Sequence, residues 1–368
     1  MKNLEKKIVC VISLLFLFCC GIASFWTYLK DKDIASALRA NHPFTNFFYS
    51  IYGTTNKVMD KSFVKDNESG VYKLKNGYLS YQKSPFNPEI YEENLVEFNE
   101  YLEGKGIDFT YVLTAEAGDE RLGQLPFGVE TNYCEETNNK LLGVLKRNNI
   151  EYLDTFEVLT NADKDYYAYF YKTDHHWNDY AGLLVSQAIA NHFNEDYGMN
   201  LDPSIFDEEQ YDRIVYERAF LGSCGKKVCK GYVEPEDFEL LLPKFPTKLS
   251  CNYKDLTPGT YFETLIDSKV FINSHYGTSY YSAYMFGDKP TLSVKNFNCN
   301  NGKRVLVLKD SKANVVNTHL ATCVEYLDIV DLRHFSRGKL RNFIEETNPD
   351  VVITIYSAFN TGVFYDFR

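Results

Sequence analysis

The chain has 368 residues, a formal net charge of −11 at pH 7 and 16% aromatic residues, 29 Tyr and 27 Phe among them. That length can bury a sizeable core in one large domain or two modest ones. The acidic balance argues against nucleic acid as a partner, because phosphate binding needs a basic surface, while Tyr rings with polar tips suit sugars as well as ordinary cores.

Residues 1–30 are distinct in kind. Lys2, Lys6 and Lys7 precede a run from Ile8 to about Tyr28 that has no charged side chain. Roughly 20 apolar residues span a bilayer as a helix, and flanking lysines stay cytoplasmic, so the expectation is a single-pass membrane anchor with the body outside. A cleaved signal peptide is the alternative, since Gly21-Ile22-Ala23 offers small residues at a suitable spacing. Either reading exports the body. There, Cys134, Cys224, Cys229, Cys251, Cys299 and Cys323 form an even set compatible with disulfides, and the Cys224–Cys229 loop is short enough to close locally.

Residues 31–70 read as a polar stalk, and 71–368 as the catalytic domain. Asn76-Gly77 marks a hairpin turn between Tyr72 and Leu79–Tyr81. Asn87-Pro88-Glu89 opens a helix whose Tyr91, Leu95, Phe98 and Leu102 share a face before Gly104 and Gly106 stop it. A strand over Phe109–Thr114, a helix over Glu135–Arg147 and a strand near Tyr152-Leu153 follow. Residues 200–290 break the rhythm with short apolar runs and turn residues, and read as an insertion on the sheet. Alternation returns with strand Val305–Leu308, helix Lys312–Val324, strand Ile329-Val330, helix Lys339–Glu346 and strand Val351–Tyr356. Such alternation predicts an α/β fold with a parallel sheet flanked by helices.

Two segments carry chemistry. Thr173-Asp174-His175-His176-Trp177-Asn178 supplies a carboxylate and imidazoles. In an extended segment, residues two apart face the same way, so Asp174 and His176 converge and His175 points away. A helix starting near Asn178-Asp179 adds a positive end beside them. A histidine packed beside Trp177, a polar loop before a helix cap and an Asp/His metal site compete with a catalytic base. Leu308-Lys309-Asp310-Ser311 ends a buried strand where sites form in open α/β sheets. Ser311 is either a nucleophile, with the N–H groups of Ser311 and Lys312 as oxyanion donors, or part of an N-cap. No GxSxG elbow occurs.

Asp174-His175-His176-Trp177, then Val307-Leu308-Lys309-Asp310-Ser311, then Ile329-Val330-Asp331-Leu332-Arg333-His334-Phe335, in that order, resemble the bacterial DHHW proteins. Phe220-Leu221-Gly222-Ser223 and Met285-Phe286-Gly287-Asp288-Lys289-Pro290 extend the likeness. That family is similar to the alginate O-acetyltransferase group, whose domain is a circularly permuted SGNH-hydrolase-like fold. The resemblance implies a triad of Ser311, His176 and Asp174 in a serine-dependent O-acetyltransferase acting on a cell-envelope or exported polysaccharide, with an SGNH-type carbohydrate esterase or a non-catalytic polysaccharide-binding or assembly scaffold as the alternatives. No bound metal or cofactor is expected; the acetyl group would come from a multi-pass membrane acyltransferase partner. Gly222 and Gly287 are candidate site-lining glycines. Lys309 stands where SGNH enzymes usually have Gly, and Lys312 where the DHHW group often has an aromatic, which bears on substrate detail.

Overall fold

The computed structural model describes residues 45–65, 69–253, 257–272 and 279–368, with side chains from Tyr49 onward. The apolar run at 8–28, read above as an anchor or signal peptide, lies outside the described residues. Among those described, no helix is long and apolar enough to cross a membrane. The chain divides into two compact units, one reaching to Lys61 and including Val228–Glu234, the other formed by Ser62–Lys227 and Pro235–Arg368.

In the first unit, α1 (Thr45–Val58) leads to Lys61, whose carbonyl accepts the Tyr232 hydroxyl. The second unit opens with a three-stranded antiparallel sheet of β1 (Phe63–Lys65), β2 (Gly70–Lys73) and β3 (Leu79–Tyr81), the last two joined by the expected Asn76-Gly77 turn. A single turn over Pro88–Tyr91, capped by the Asn87 side chain, then starts α2 (Glu92–Glu103). Leu95, Phe98 and Leu102, spaced three and four apart, put one face of α2 into the core. Then come β4 (Asp108–Leu113), α3 (Cys134–Arg147), β5 (Glu151–Asp154), α4 (Thr155–Thr160) and α5 (Asp179–Tyr197).

Next, β6 (Tyr211–Phe220) and β7 (Glu236–Pro243) pair as a two-stranded antiparallel ribbon around α6 (Ser223–Val228). β8 (Leu249–Cys251) and α7 (Tyr261–Leu265) precede β9 (Thr291–Asn296), β10 (Arg304–Lys309), α8 (Ala313–Leu320), β11 (Tyr326–Val330), α9 (Leu340–Thr347) and β12 (Val351–Tyr356). The main sheet has seven strands in the order β5-β4-β12-β10-β11-β9-β8. β5, β4, β12, β10 and β11 run parallel; β9 and β8 close one edge antiparallel. The region 200–290 is therefore not wholly set apart: β8 comes from it and extends the central sheet. The predicted helix to Val324 ends earlier, at Leu320, in a run of turns.

Strand alternation divides the core. Val305 and Val307 of β10 face one apolar cluster with α5 and α8, while Leu306 and Leu308 face another with α2, α3 and α9. Both faces are covered, as a mostly parallel sheet requires. From β10 the chain crosses to β11 on one side and returns to β12 on the other, so strand order reverses at the carboxyl ends of β10 and β12. In open α/β sheets that reversal opens the crevice used for ligands.

Candidate active site

Ser311 lies two residues past the end of β10, at this crevice. The loop with the two histidines is closed at its base by an antiparallel bridge between Phe170 and Trp177, and Asn178 caps α5 by accepting from the N–H groups of Tyr180 and Ala181. Residues 172–176 form successive bends rather than an extended strand. Asp174 and His176 still converge, but by a local turn in which Asp174 Oδ1 accepts the His176 backbone N–H at 2.9 Å.

The same Oδ1 lies 2.5 Å from His176 Nδ1, and His176 Nε2 lies 2.8 Å from Ser311 Oγ. A carboxylate only accepts, so Nδ1 carries the proton and Nε2 presents its lone pair to the serine hydroxyl. Burial pushes the Asp174 carboxyl up, but the imidazoles of His176 and His175 and the Ser223 N–H (2.6 Å from Oδ2) outweigh it and hold the group well below the usual carboxylate range. The arrangement can thus pass a hydroxyl proton to an imidazole oriented by an ionised carboxylate. His176 stacks at 3.9 Å and 11° on Tyr281, whose hydroxyl donates to the Lys312 carbonyl at 2.9 Å; the Trp177 Nε1–H donates to the same carbonyl at 2.7 Å. Both contacts fix the turn after Ser311 to the histidine loop.

His175 departs from expectation. It does not point away: its ring lies 3.8 Å from that of His176, and its Nδ1 lies 2.6 Å from Ser223 Oγ and 3.3 Å from Asp174 Oδ1. The bent backbone removes the alternation that would have separated them. Burial first, then His176 beside it, lower its pKa to about 3. Asp174, His175 and His176 offer ligand atoms within 4.8 Å of one another. Asp174 Oδ1 already accepts from both the His176 N–H and Nδ1–H, and Oδ2 accepts from the Ser223 N–H.

Lys312 does not offer the oxyanion donor expected of it. Its backbone N–H donates to Asp310 Oδ1 at 2.9 Å, while its ammonium bonds the Ala115 carbonyl at 2.7 Å and Glu116 at 2.9 Å. Asp310 Oδ2 in turn accepts from the Ser357 N–H at 3.1 Å and from Asn360 at 2.9 Å, so this carboxylate ties the end of β10 to the loop after β12. The Ser311 N–H carries no hydrogen bond among the described residues.

The two glycines also resolve into structural roles. A Cβ on Gly222 would lie 2.3 Å from Asp174 Cβ, so glycine is what lets the chain come close enough for the Ser223 amide to reach Asp174. Gly287 has φ +76 and serves the turn before Asp288; an added Cβ would meet nothing nearer than Ser282 at 3.5 Å. Cys224 and Cys229 are thiols, not a disulfide. The residues between them are helical in α6, and a helix turns side chains five apart to different sides.

Several residues around the site have no local sequence signature. Buried Glu116 gathers Lys312, Lys83 at 3.1 Å and the Ser357 hydroxyl at 2.9 Å. Burial pushes its carboxyl up, but the two lysines prevail and hold it well below the usual range. From β7, Glu236 accepts from the N–H groups of Lys172 and Thr173 at 2.7 and 2.6 Å and from the Thr173 hydroxyl at 2.5 Å, clamping the residues before Asp174. Burial raises its pKa to about 7, against the pull of those donors. Buried Lys309 meets Asp288 at 2.6 Å, Asn314 at 2.8 Å and Asp331 at 3.3 Å.

Residues 75–214 match the family described as the SGNH hydrolase-like domain of the acetyltransferase AlgX. PatB1 of Bacillus cereus superposes with a TM-score of 0.66 at 22% identity, covering 83% of this chain and 99% of that one. PatB1 with a sulfonyl adduct gives 0.67 at 22% identity, covering 82% and 100%. A DHHW family protein from Eubacterium siraeum gives 0.61 at 19% identity, covering 83% and 96%. These likenesses establish a shared α/β fold. No curated protein matches the sequence significantly. Lys309, just before Asp310-Ser311, is a buried cation that draws Asp288 and Asp331 against the end of β10.

Proposed function

We propose that the protein is an extracytoplasmic O-acetyltransferase that moves an acetyl group through a Ser311 ester to hydroxyls of a cell-envelope or exported polysaccharide. The match to an acetyltransferase family supports acetyl transfer at the level of the family. The observation that carries the reading is the unbroken hydrogen-bond chain from Asp174 through His176 to Ser311 at the crevice. His176 takes the Ser311 proton as Oγ attacks the acetyl carbonyl, and the Ser311 N–H receives the developing oxyanion. His176 then protonates the leaving group. In the second half, a sugar hydroxyl gives its proton to His176, attacks the acyl carbon and leaves the acetylated sugar and free Ser311. The carboxylate and base precede the nucleophile in the chain, the order a circularly permuted SGNH domain would have.

In this reading the run at 8–28 anchors the chain in the membrane, and a multi-pass membrane acyltransferase delivers acetyl groups from the cytoplasm. The test is incubation with a small activated acetyl ester, followed by intact-protein and peptide mass spectrometry. An acetyl adduct on Ser311 that is absent in Ser311→Ala and His176→Ala supports the acyl-enzyme; a sulfonyl fluoride should compete for the same residue. Unchanged labelling in both variants overturns it. Acetylation of Ser311 followed by release to water alone, with no glycan accepting, replaces the transferase with an esterase.

A further inference from the structure

We propose that His175 is an acceptor-binding residue, whose Nε2 takes a hydrogen bond from a second hydroxyl of the incoming sugar and so favours transfer over hydrolysis. This rests on the reading of Ser311 as the acyl carrier. Its own grounds are the geometry of the paired imidazoles.

His175 is fixed at one edge and open at the other. Nδ1 faces Ser223 Oγ at 2.6 Å and Asp174 Oδ1 at 3.3 Å. Next to an ionised carboxylate, which only accepts, the proton belongs on Nδ1, so Ser223 Oγ accepts it and Nε2 keeps its lone pair. That Nε2 has no hydrogen-bond partner among the described residues. The His175 side chain is 31% exposed against 10% for His176, so of the two rings it is the one that reaches the mouth of the site. Tyr81 flanks it at 5.2 Å, an aromatic face beside which a sugar ring can lie. The depressed pKa of about 3 keeps the imidazole neutral across physiological pH, so the lone pair is not lost to protonation.

The ring centroids of His175 and His176 lie 3.8 Å apart, so their two Nε2 lone pairs are close enough to be met together by two neighbouring hydroxyls of one molecule. One hydroxyl gives its proton to His176 Nε2 and attacks the acetyl carbon of Ser311. The next donates to His175 Nε2 and holds the first in line. Water has no second hydroxyl on a rigid frame, so it gains no such orientation. The bonds balance as in ordinary transesterification: the new ester C–O bond forms, the Ser311 ester bond breaks, and the sugar proton returns through His176 to Ser311 Oγ.

The test uses the full chain acetylated by p-nitrophenyl acetate, with ethylene glycol as a vicinal diol and ethanol as a single hydroxyl. The ratio of acetyl transfer to hydrolysis is measured by mass spectrometry of the products. That ratio is a property of the acyl-enzyme and does not depend on how fast it forms. The wild type should prefer the diol over ethanol, and His175→Ala should lower the diol-to-water ratio by about tenfold, the worth of one oriented hydrogen bond. His175→Gln, which keeps an acceptor oxygen, should recover part of it and guards against a folding defect in the alanine variant. An unchanged ratio in both variants overturns the role of His175 while leaving the acyl-enzyme standing. Failure of the wild type to acetylate at all overturns the Ser311 reading, and this one with it.

Discussion

Replacing Gly222 by alanine should disable the site without altering any side chain of the Asp174–His176–Ser311 chain. The added Cβ would lie 2.3 Å from Asp174 Cβ and 2.6 Å from both Asp174 Cα and Oδ2. Carbon atoms settle at about 3.5–4.0 Å, so the two segments must part by on the order of 1 Å. Asp174 Oδ2 holds the Ser223 amide and Oδ1 holds His176, so the displacement reaches the imidazole directly. A misplacement of about 1 Å can cost about 10²-fold in rate. Losing a hydrogen bond to a buried carboxylate adds a stability cost of about 1.5–3 kcal/mol. The assay is the acetylation rate constant with p-nitrophenyl acetate, alongside a thermal melt. Gly287→Ala is the comparison: φ +76 strains an alanine there by about 1 kcal/mol, yet nothing near Asp174 moves. Stability should fall in both variants, with the large rate loss confined to Gly222→Ala. A Gly222→Ala protein that acetylates within about threefold of the wild type refutes the reasoning.

Asp174→Asn should keep the fold and lose about 10⁴-fold in acetylation rate, because an amide at this position holds the imidazole in the wrong tautomer; circular dichroism and the same rate assay check both halves. Lys312→Met leaves buried Glu116 with Lys83 and Ser357 but without its closest cation, and should cost about 3 kcal/mol, read in a urea melt. A loss under about 0.5 kcal/mol would mean that this ion pair contributes nothing net. Glu236→Gln tests a pH dependence. The wild-type carboxyl, raised by burial from 4.5 to about 7, binds more protons folded than unfolded between those values. Wild-type stability therefore falls as pH rises through that window, by up to roughly 3 kcal/mol. The glutamine variant lacks the term, so its melting temperature relative to the wild type should climb from pH 5 to pH 8; a flat or opposite trend contradicts the assignment.

Local patterns were enough for much of this protein. Apolar runs such as Val305–Leu308 and Val351–Tyr356, separated by amphipathic segments, placed the βαβαβ end of the sheet, because strand and helix periodicities are properties of neighbouring residues. The Asn87 cap and the Asn76-Gly77 turn were readable for the same reason. Asp174, His176 and Ser311 could each be named from a few adjacent residues, and the motifs in their order carried the family resemblance. Tertiary structure decided what those residues meet. The bends at 172–176 brought His175 onto His176, where an assumed strand had separated them. Asp310 took the Lys312 amide, 197 residues separate Lys312 from the Ala115 carbonyl its ammonium holds, and Glu236 reaches 63 residues back to Thr173. β8, three residues long, carries too little periodicity to reveal that it joins the main sheet. Such contacts form only after long loops have closed, and their partners are chosen by burial and hydrogen-bond satisfaction in the packed state, which no short window of sequence contains.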